Sequence, residues 1–150
     1  MRKTVFFVVL LIAAFALAAC GGGAKEPAPA AQAPVASNGG NPATGKTLFS
    51  QPVLEGNAGC ATCHTTEAGK VLVGPSLAGI ATRAGTTIPG MSAEEYIHQS
   101  IVDTNAHLAT GCTLSDLSLQ CNADLMPKDW ATKLNEQQIK DITAYLLTLK

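Results

Sequence analysis

The stretch Cys60-Ala61-Thr62-Cys63-His64 decides how this chain folds. Its two thiols and its imidazole stand at positions i, i+3 and i+4, and residues with that spacing share one face of a helical turn. One turn of helix therefore presents two sulfur groups and one nitrogen ligand to the same neighbouring group.

The C-x-x-C-H spacing is the signature of c-type haem attachment. Two thiols on one face can add to the two vinyl groups of a porphyrin, and the next residue projects its imidazole at the iron. Cys60 and Cys63 are therefore predicted to anchor one covalent haem c, with His64 as the proximal iron ligand. The rival interpretations are a redox C-x-x-C, which would need a βαβ context, and a zinc site, which would need a second pair of close ligands. The sequence shows neither.

Composition limits the class of protein. The chain has 150 residues, which is one domain's worth of sequence once tails are removed. Charged residues make up 14% and the net charge is −1, with no cluster of lysines and arginines, so nothing indicates binding to nucleic acid. The composition also argues against a disordered chain and against a polytopic membrane protein.

Residues 1–19 are predicted to be a lipoprotein signal peptide. Arg2 and Lys3 precede an apolar run from Val5 to Ala19, which is shorter than the roughly 20 residues of a spanning helix. The run ends in Leu17-Ala18-Ala19-Cys20 and resembles a bacterial lipobox, in which the cysteine is lipidated and becomes the first mature residue. An ordinary signal cut near Ala19 and a retained anchor helix are the alternatives.

Residues 20–41 are predicted to be the lipidated Cys20 followed by a flexible linker of glycine, alanine and proline. Such a segment buries too little apolar surface to offset its ordering entropy. Removing residues 1–19 takes away two bases and no acid, which leaves eight basic against eleven acidic residues. This acidic balance favours a basic docking face on any partner.

Residues 42–150 are predicted to form an all-α domain. Asn41 before Pro42 is typical of a helix start, and Ser92 and Asn135 have the spacing of capping boxes. The last helix has the clearest period, with apolar residues at Ile139, Ile142, Leu146 and Leu149. Long connections leave a thin core, which a large apolar cofactor would fill.

From about Gly45 to its C-terminus the chain resembles the class I cytochromes c of the bacterial monohaem type. The resemblance implies a cytochrome c fold of about four to five helices around one covalently attached haem. Gly45 and Phe49 are similar to the first helix of the family, which crosses the last helix near Tyr145. Gly74-Pro75-Ser76-Leu77 is similar to the segment in which the carbonyl of Pro75 would accept a hydrogen bond from His64.

Two further residues are predicted to contact the haem, and the resemblance implies only the first of them. Arg83 is similar to arginines near the haem propionates, with a solvated arginine as the alternative. Trp130 would pack near the haem edge or hydrogen-bond a propionate, and plain core packing is the alternative.

The sixth iron ligand is predicted to be Met126. It is followed by Pro127, which stiffens the chain, and it precedes the final helix as in the family. Met91, His98 and His107 are the other candidates, and an open site is the remaining alternative.

Cys112 and Cys121 depart from the usual pattern and are predicted to form a disulfide. One lipidated cysteine, two haem cysteines and one bridge account for all five cysteines. In exported proteins, cysteines that occur in even number tend to form disulfides. Free thiols are the alternative.

The function that the resemblance implies is one-electron transfer by a membrane-tethered carrier outside the cytoplasm, and not catalysis. A quinol-oxidising complex would be the donor, and a terminal oxidase or a photosynthetic reaction centre the acceptor. The protein would be lipid-anchored and face the periplasm or the cell exterior. The alternatives are an accessory haem subunit of a larger oxidoreductase complex and an open-site haem enzyme or gas sensor.

Overall fold

The structure is a computed structural model that describes residues 39–109 and 124–150. The predicted signal peptide, the lipidation of Cys20, most of the linker and the Cys112–Cys121 bridge lie outside these residues. The described elements are, in chain order, α1 (Pro42–Phe49), β1 (Val53–Leu54), β2 (Asn57–Ala58), α2 (Cys60–Cys63), α3 (Ile80–Thr87), α4 (Ala93–Val102), α5 (Trp130–Lys133) and α6 (Glu136–Leu146).

The all-α class is confirmed. Six helices are described, of which α2 and α5 are single turns of four residues. The remaining four helices, α1, α3, α4 and α6, have 8 to 11 residues and build the frame. None of the helices in the described ranges is long and apolar enough to span a membrane.

The three predicted helix starts are confirmed. The side chain of Asn41 accepts hydrogen bonds from the backbone N–H groups of Ala43 and Thr44 at the start of α1. Ser92 with Glu95 at α4, and Asn135 with Gln138 at α6, form complete capping boxes. Each box satisfies backbone donors that a helix start otherwise leaves without a partner.

Helices α1 and α6 pack against each other at the position of Gly45, as the resemblance implies. A Cβ atom at Gly45 would stand 1.8 Å from the backbone oxygen of Asp141, so only glycine fits. Phe49 packs on Tyr145 with ring centroids 5.4 Å apart. The backbone N–H of Asn41 donates to the buried carboxylate of Asp141 at 2.7 Å, which holds the start of the domain against α6.

A short antiparallel pair, β1 and β2, is a feature that the sequence interpretation did not include. Val53 pairs with Ala58 and Leu54 with Asn57. The two turn residues, Glu55 and Gly56, both have positive φ, at 47° and 81°, which is the backbone of a tight two-residue hairpin. The hairpin reverses the chain directly before α2 and so positions the C-x-x-C-H segment.

The core lies where α4 and α6 face each other and α1. The buried apolar side chains of α4 are Tyr96, Ile97 and Ile101, and those of α6 include Ile139, Ile142 and Leu146. These helices do not close over one another completely, and a cavity remains beside them.

Candidate functional site

A cavity of about 710 Å³ lies between α2, α4 and the segment after residue 124. This volume falls within the range of pockets that hold organic ligands and cofactors. All the haem-contact residues that the sequence predicted within residues 42–150 line this one cavity: Cys60, Cys63, His64, Pro75, Arg83, Met126 and Trp130.

The single turn α2 places both thiols on the cavity wall. It begins after Gly59, where a Cβ atom would stand 1.7 Å from the backbone oxygen of Gln51, so the chain can pass there only as glycine. Cys60 and Cys63 are partly buried and not bridged to each other. Burial raises the pKa of the free Cys60 thiol to about 11.

The imidazole of His64 is held in one orientation. Its Nδ1 donates a hydrogen bond to the carbonyl oxygen of Pro75 at 2.9 Å, which is the contact that the resemblance implies. Because a carbonyl can only accept, Nδ1 carries the proton and Nε2 keeps a free lone pair. Burial lowers the pKa of His64, against the opposing effect of the Pro75 hydrogen bond, so the ring is neutral. A neutral imidazole with its Nε2 free suits an iron ligand.

The backbone after the haem motif closes against the ring of His64. The N–H of Gly74 donates to the carbonyl of Cys63 at 2.8 Å, and that of Leu77 donates to Thr65 at 2.7 Å. A Cβ atom at Gly74 would stand 2.4 Å from Cε1 of His64 and 2.8 Å from its Nδ1. Glycine is therefore required at this position for the ring and the Pro75 carbonyl to meet.

A Gly74→Ala substitution is expected to destabilise the haem-loaded protein by about 1–3 kcal/mol, the typical cost of overpacking. The added methyl group must displace the ring of His64 or break its bond to Pro75. Denaturant unfolding, followed by haem absorbance and by circular dichroism, measures the loss.

The matched control for this substitution is Gly85→Ala in α3. A Cβ atom there meets only ordinary contacts, 3.6 Å from the side chain of Ala93. Because alanine favours a helix more than glycine does, this control is expected to keep or slightly raise stability. Equal effects at the two positions would contradict the tight contact between Gly74 and His64.

The structure narrows the candidates for the sixth ligand. Met126 and His107 line the cavity, whereas Met91 and His98 are absent from its wall. Met91 and Met126 both pack against the hydrophobic core, and of these two only Met126 also lines the cavity. Nε2 of His107 lies 2.8 Å from the side-chain oxygen of Gln99, and its ring stacks on Tyr96 with centroids 5.2 Å apart. His107 is thus engaged by protein groups.

Arg83 and Trp130 lie on the cavity wall in different roles. The guanidinium of Arg83 donates to the backbone carbonyls of Ser76 and Ala78, which fixes the loop after Pro75. Trp130 is only 3% exposed and belongs to the core. The propionate contacts expected for both residues stay predictions.

Two hydroxyl groups on the cavity wall were missed by the sequence interpretation. The oxygens of Ser100 and Thr104 are buried, and both residues line the cavity. Neither oxygen has a hydrogen-bond partner among the residues that the structure describes. Buried polar atoms are nearly always paired, so these two fit a bound group that carries hydrogen-bond acceptors. Ser100 stands four residues after the buried Tyr96 on α4, and this spacing is the sequence signal that marks a common helix face.

The comparisons with known proteins agree with this geometry. The family model for cytochrome c matches residues 42–150. Three proteins named cytochrome c2, all from Rhodopseudomonas palustris, are 35%, 37% and 32% identical over 123 residues, which cover 72% of this chain and 97% of each relative. No solved structure gives a significant match.

Members of this family carry one covalent haem c on a Cys-x-x-Cys-His motif. In this chain residues 60–64 supply that motif, and its two thiols and its imidazole lie on the cavity wall. The match extends over the whole domain, from α1 to α6. The chain therefore belongs to the cytochrome c family and binds its haem through Cys60 and Cys63.

Proposed function

We propose that this protein carries single electrons between redox proteins on the outer side of a membrane, to which a lipid on Cys20 holds it. That a cytochrome c of this type is an electron carrier and not an enzyme follows from its family. The observation that supports the proposal most directly is the common cavity, because it gathers two thiols, a neutral imidazole and a thioether within one apolar enclosure.

We assign the two iron ligands to His64 and Met126. When bound, haem c supplies an iron that accepts and releases one electron. Ligation of the iron by a histidine and a methionine would favour the reduced iron and raise the reduction potential. Met126 is preferred over His107 because the ring of His107 is already engaged by Gln99 and Tyr96.

The chain holds these ligands in fixed positions. Hydrogen bonds from Gly74 and His64 to the neighbouring backbone fix the proximal side. On the other segment, Pro127 restricts the backbone directly after Met126. Ligands that move little between the two charge states keep the energy of reorganisation small, which suits rapid electron transfer.

The proposed tether consists of residues 20–41. Each buried CH₂ of an acyl chain contributes about 0.8 kcal/mol, so several chains on Cys20 would hold the protein to the membrane. Next to this segment, Gly39 and Asn41 are hydrogen-bonded to side chains of α6. Tethering keeps the carrier at high effective concentration near membrane complexes. The proposed donor is a quinol-oxidising complex, and the proposed acceptor is an oxidase or a reaction centre.

The test of electron transfer uses the full chain, produced in a host that attaches haem c. We expect a single reversible one-electron wave in a potentiometric titration, and pigment that stays with the protein after acidified acetone. An irreversible wave, or oxygen binding by the reduced protein, would instead support an open-site haem enzyme or sensor.

The test of the tether is a Cys20→Ala substitution in the same full chain. We expect the native chain to sediment with membranes and to need detergent for release. The variant is expected to keep its precursor signal or to appear in the soluble fraction. A native chain found in the soluble fraction would refute the anchor while leaving the electron-transfer proposal intact.

A further inference from the structure

The cavity wall carries two of the three histidines of the chain, His64 and His107. Imidazole is a common ligand of haem iron, so His107 is a competitor for the position opposite His64 that we assign to Met126. A thioether favours the reduced iron, and a second imidazole in its place would give a lower reduction potential. Which of the two side chains binds therefore sets the potential of the carrier.

A turn directly after α4 returns His107 to that helix. The N–H of Ala106 donates to the carbonyl oxygen of Asp103 at 3.0 Å, and the N–H of Asn105 donates to the carboxylate of Asp103 at 3.3 Å. The ring of His107 then lies almost flat on Tyr96, with 12° between the two planes. The turn and the stacking together restrict how far this ring can move.

The amide of Gln99 holds the outer nitrogen of the same ring. Nε2 of His107 donates to Oε1 of Gln99 at 2.8 Å, in a partly buried contact. Gln99 stands three residues after Tyr96 on α4, so both side chains reach the ring from one helix face. Tyr96 and His107 line the cavity, whereas Gln99 does not. The hydrogen bond therefore directs Nε2 toward a residue outside the cavity wall.

We propose that Gln99 is a positioning residue that keeps His107 from ligating the haem iron and so leaves the sixth position to Met126. This inference rests on the proposed function and specifies what selects the ligand. To bind iron through Nε2, His107 would have to give up Gln99 and move its ring proton from Nε2 to Nδ1. An iron–sulfur bond would break and an iron–nitrogen bond would form, with no proton or electron gained or lost. Losing a partly buried hydrogen bond opposes this exchange.

The variant that tests the proposal is Gln99→Leu, made in the full chain with its haem. Leucine is similar in size and accepts no hydrogen bond, so His107 loses its partner while α4 keeps an apolar side chain for packing. The oxidised protein is measured, because the thioether is the weaker ligand in that state. We expect the near-infrared band of sulfur-ligated ferric haem to lose roughly half of its native intensity or more. Electron paramagnetic resonance should show a second low-spin signal from iron with two imidazoles.

Three further variants separate ligand exchange from damage to packing. Gln99→Leu combined with His107→Ala removes the competing imidazole and should restore the band. Gln99→Leu combined with His98→Ala removes a histidine that does not line the cavity and should leave the band weak. Gln99→Glu keeps an oxygen that accepts from Nε2 and should keep the native band. A purely structural role of Gln99 would not give this pattern, because removing a second side chain does not repair packing.

An unchanged band in Gln99→Leu would overturn the proposal, as would a weak band that His107→Ala does not restore. If Gln99→Leu does not fold, Gln99→Ala removes the same oxygen without adding an apolar branch, and the same comparisons apply. Failure of both variants to fold would show that Gln99 serves the fold and would refute its role in ligand selection.

The native protein is measured first. A native oxidised protein without the band would refute the assignment of Met126 within the proposed function. A native protein with the band, followed by any of the contrary results in the variants, refutes only the role of Gln99.

Discussion

A Met126→Ala substitution is expected to leave the haem covalently attached and to lower its reduction potential by roughly 0.1–0.3 V, a part of the range of about 0.8 V that axial ligands command. The attachment persists because the thioethers form at Cys60 and Cys63, independently of Met126. The potential falls because the substitution removes the thioether that favours reduced iron. Potentiometric titration measures the shift, and the near-infrared band of sulfur-ligated ferric haem should disappear.

Two controls separate ligation from packing. Met91→Ala removes a methionine that packs against the core but does not line the cavity, and it should keep both the potential and the band. His107→Ala removes the other cavity-lining candidate and should also keep the band. A Met126→Ala protein with an unchanged band, or a His107→Ala protein that loses it, would contradict the assignment of Met126.

The haem motif was predictable because its chemistry is local in sequence. Residues 60–64 place their ligands within one helical turn, so the motif needs no tertiary information. Pro75 and Met126 lie outside this turn, so their placement depended on the family resemblance and, for Met126, also on the proline that follows it. The structure brings both to the wall of the cavity that holds His64.

The sequence alone could not show which polar side chains are buried or which of them have a partner. Ser100 and Thr104 are ordinary polar residues in a sequence, and their importance comes from being buried without a partner beside the cavity. The pairing of surface charges is equally hidden in the sequence, because the net charge sums over residues regardless of their position. Whether Lys70 and Lys128 face a partner or their own acidic neighbours depends on local geometry.

Helix starts were predictable from capping residues, since the cap and the backbone groups it satisfies lie within four residues. The β1–β2 hairpin was not, because its turn is formed by Glu55 and Gly56 and not by the asparagine-glycine pair typical of such turns. Glu55 adopts a positive φ that its side chain does not favour. Leu54, the residue before it, is only 2% exposed, and its burial is a tertiary contribution that the sequence does not reveal.

A Gly45→Ala substitution is expected to cost about 3 kcal/mol or more of stability, at the upper end of overpacking effects. Its Cβ atom would stand 1.8 Å from the oxygen and 2.4 Å from the carbonyl carbon of Asp141, and 2.9 Å from the nitrogen of Ile142. All three atoms belong to the backbone of α6, so no side chain can turn aside. Helices α1 and α6 would have to separate, which also loosens Phe49 from Tyr145 and Asn41 from Asp141.

The measurement for Gly45→Ala is equilibrium unfolding of the haem-loaded protein in denaturant, with Thr44→Ala as the matched control. Thr44 is the preceding residue of the same helix and is exposed, so alanine there tests helix propensity without the contact. Surface changes of that kind usually stay within about 0.5 kcal/mol. If Gly45→Ala does not fold at all while Thr44→Ala folds, the cost of the clash exceeds the stability of the domain, which supports the same contact. Comparable stability in the Gly45→Ala and Thr44→Ala proteins would mean that α1 and α6 do not cross at Gly45. The packing of the helices that surround the haem cavity would then differ from the one described.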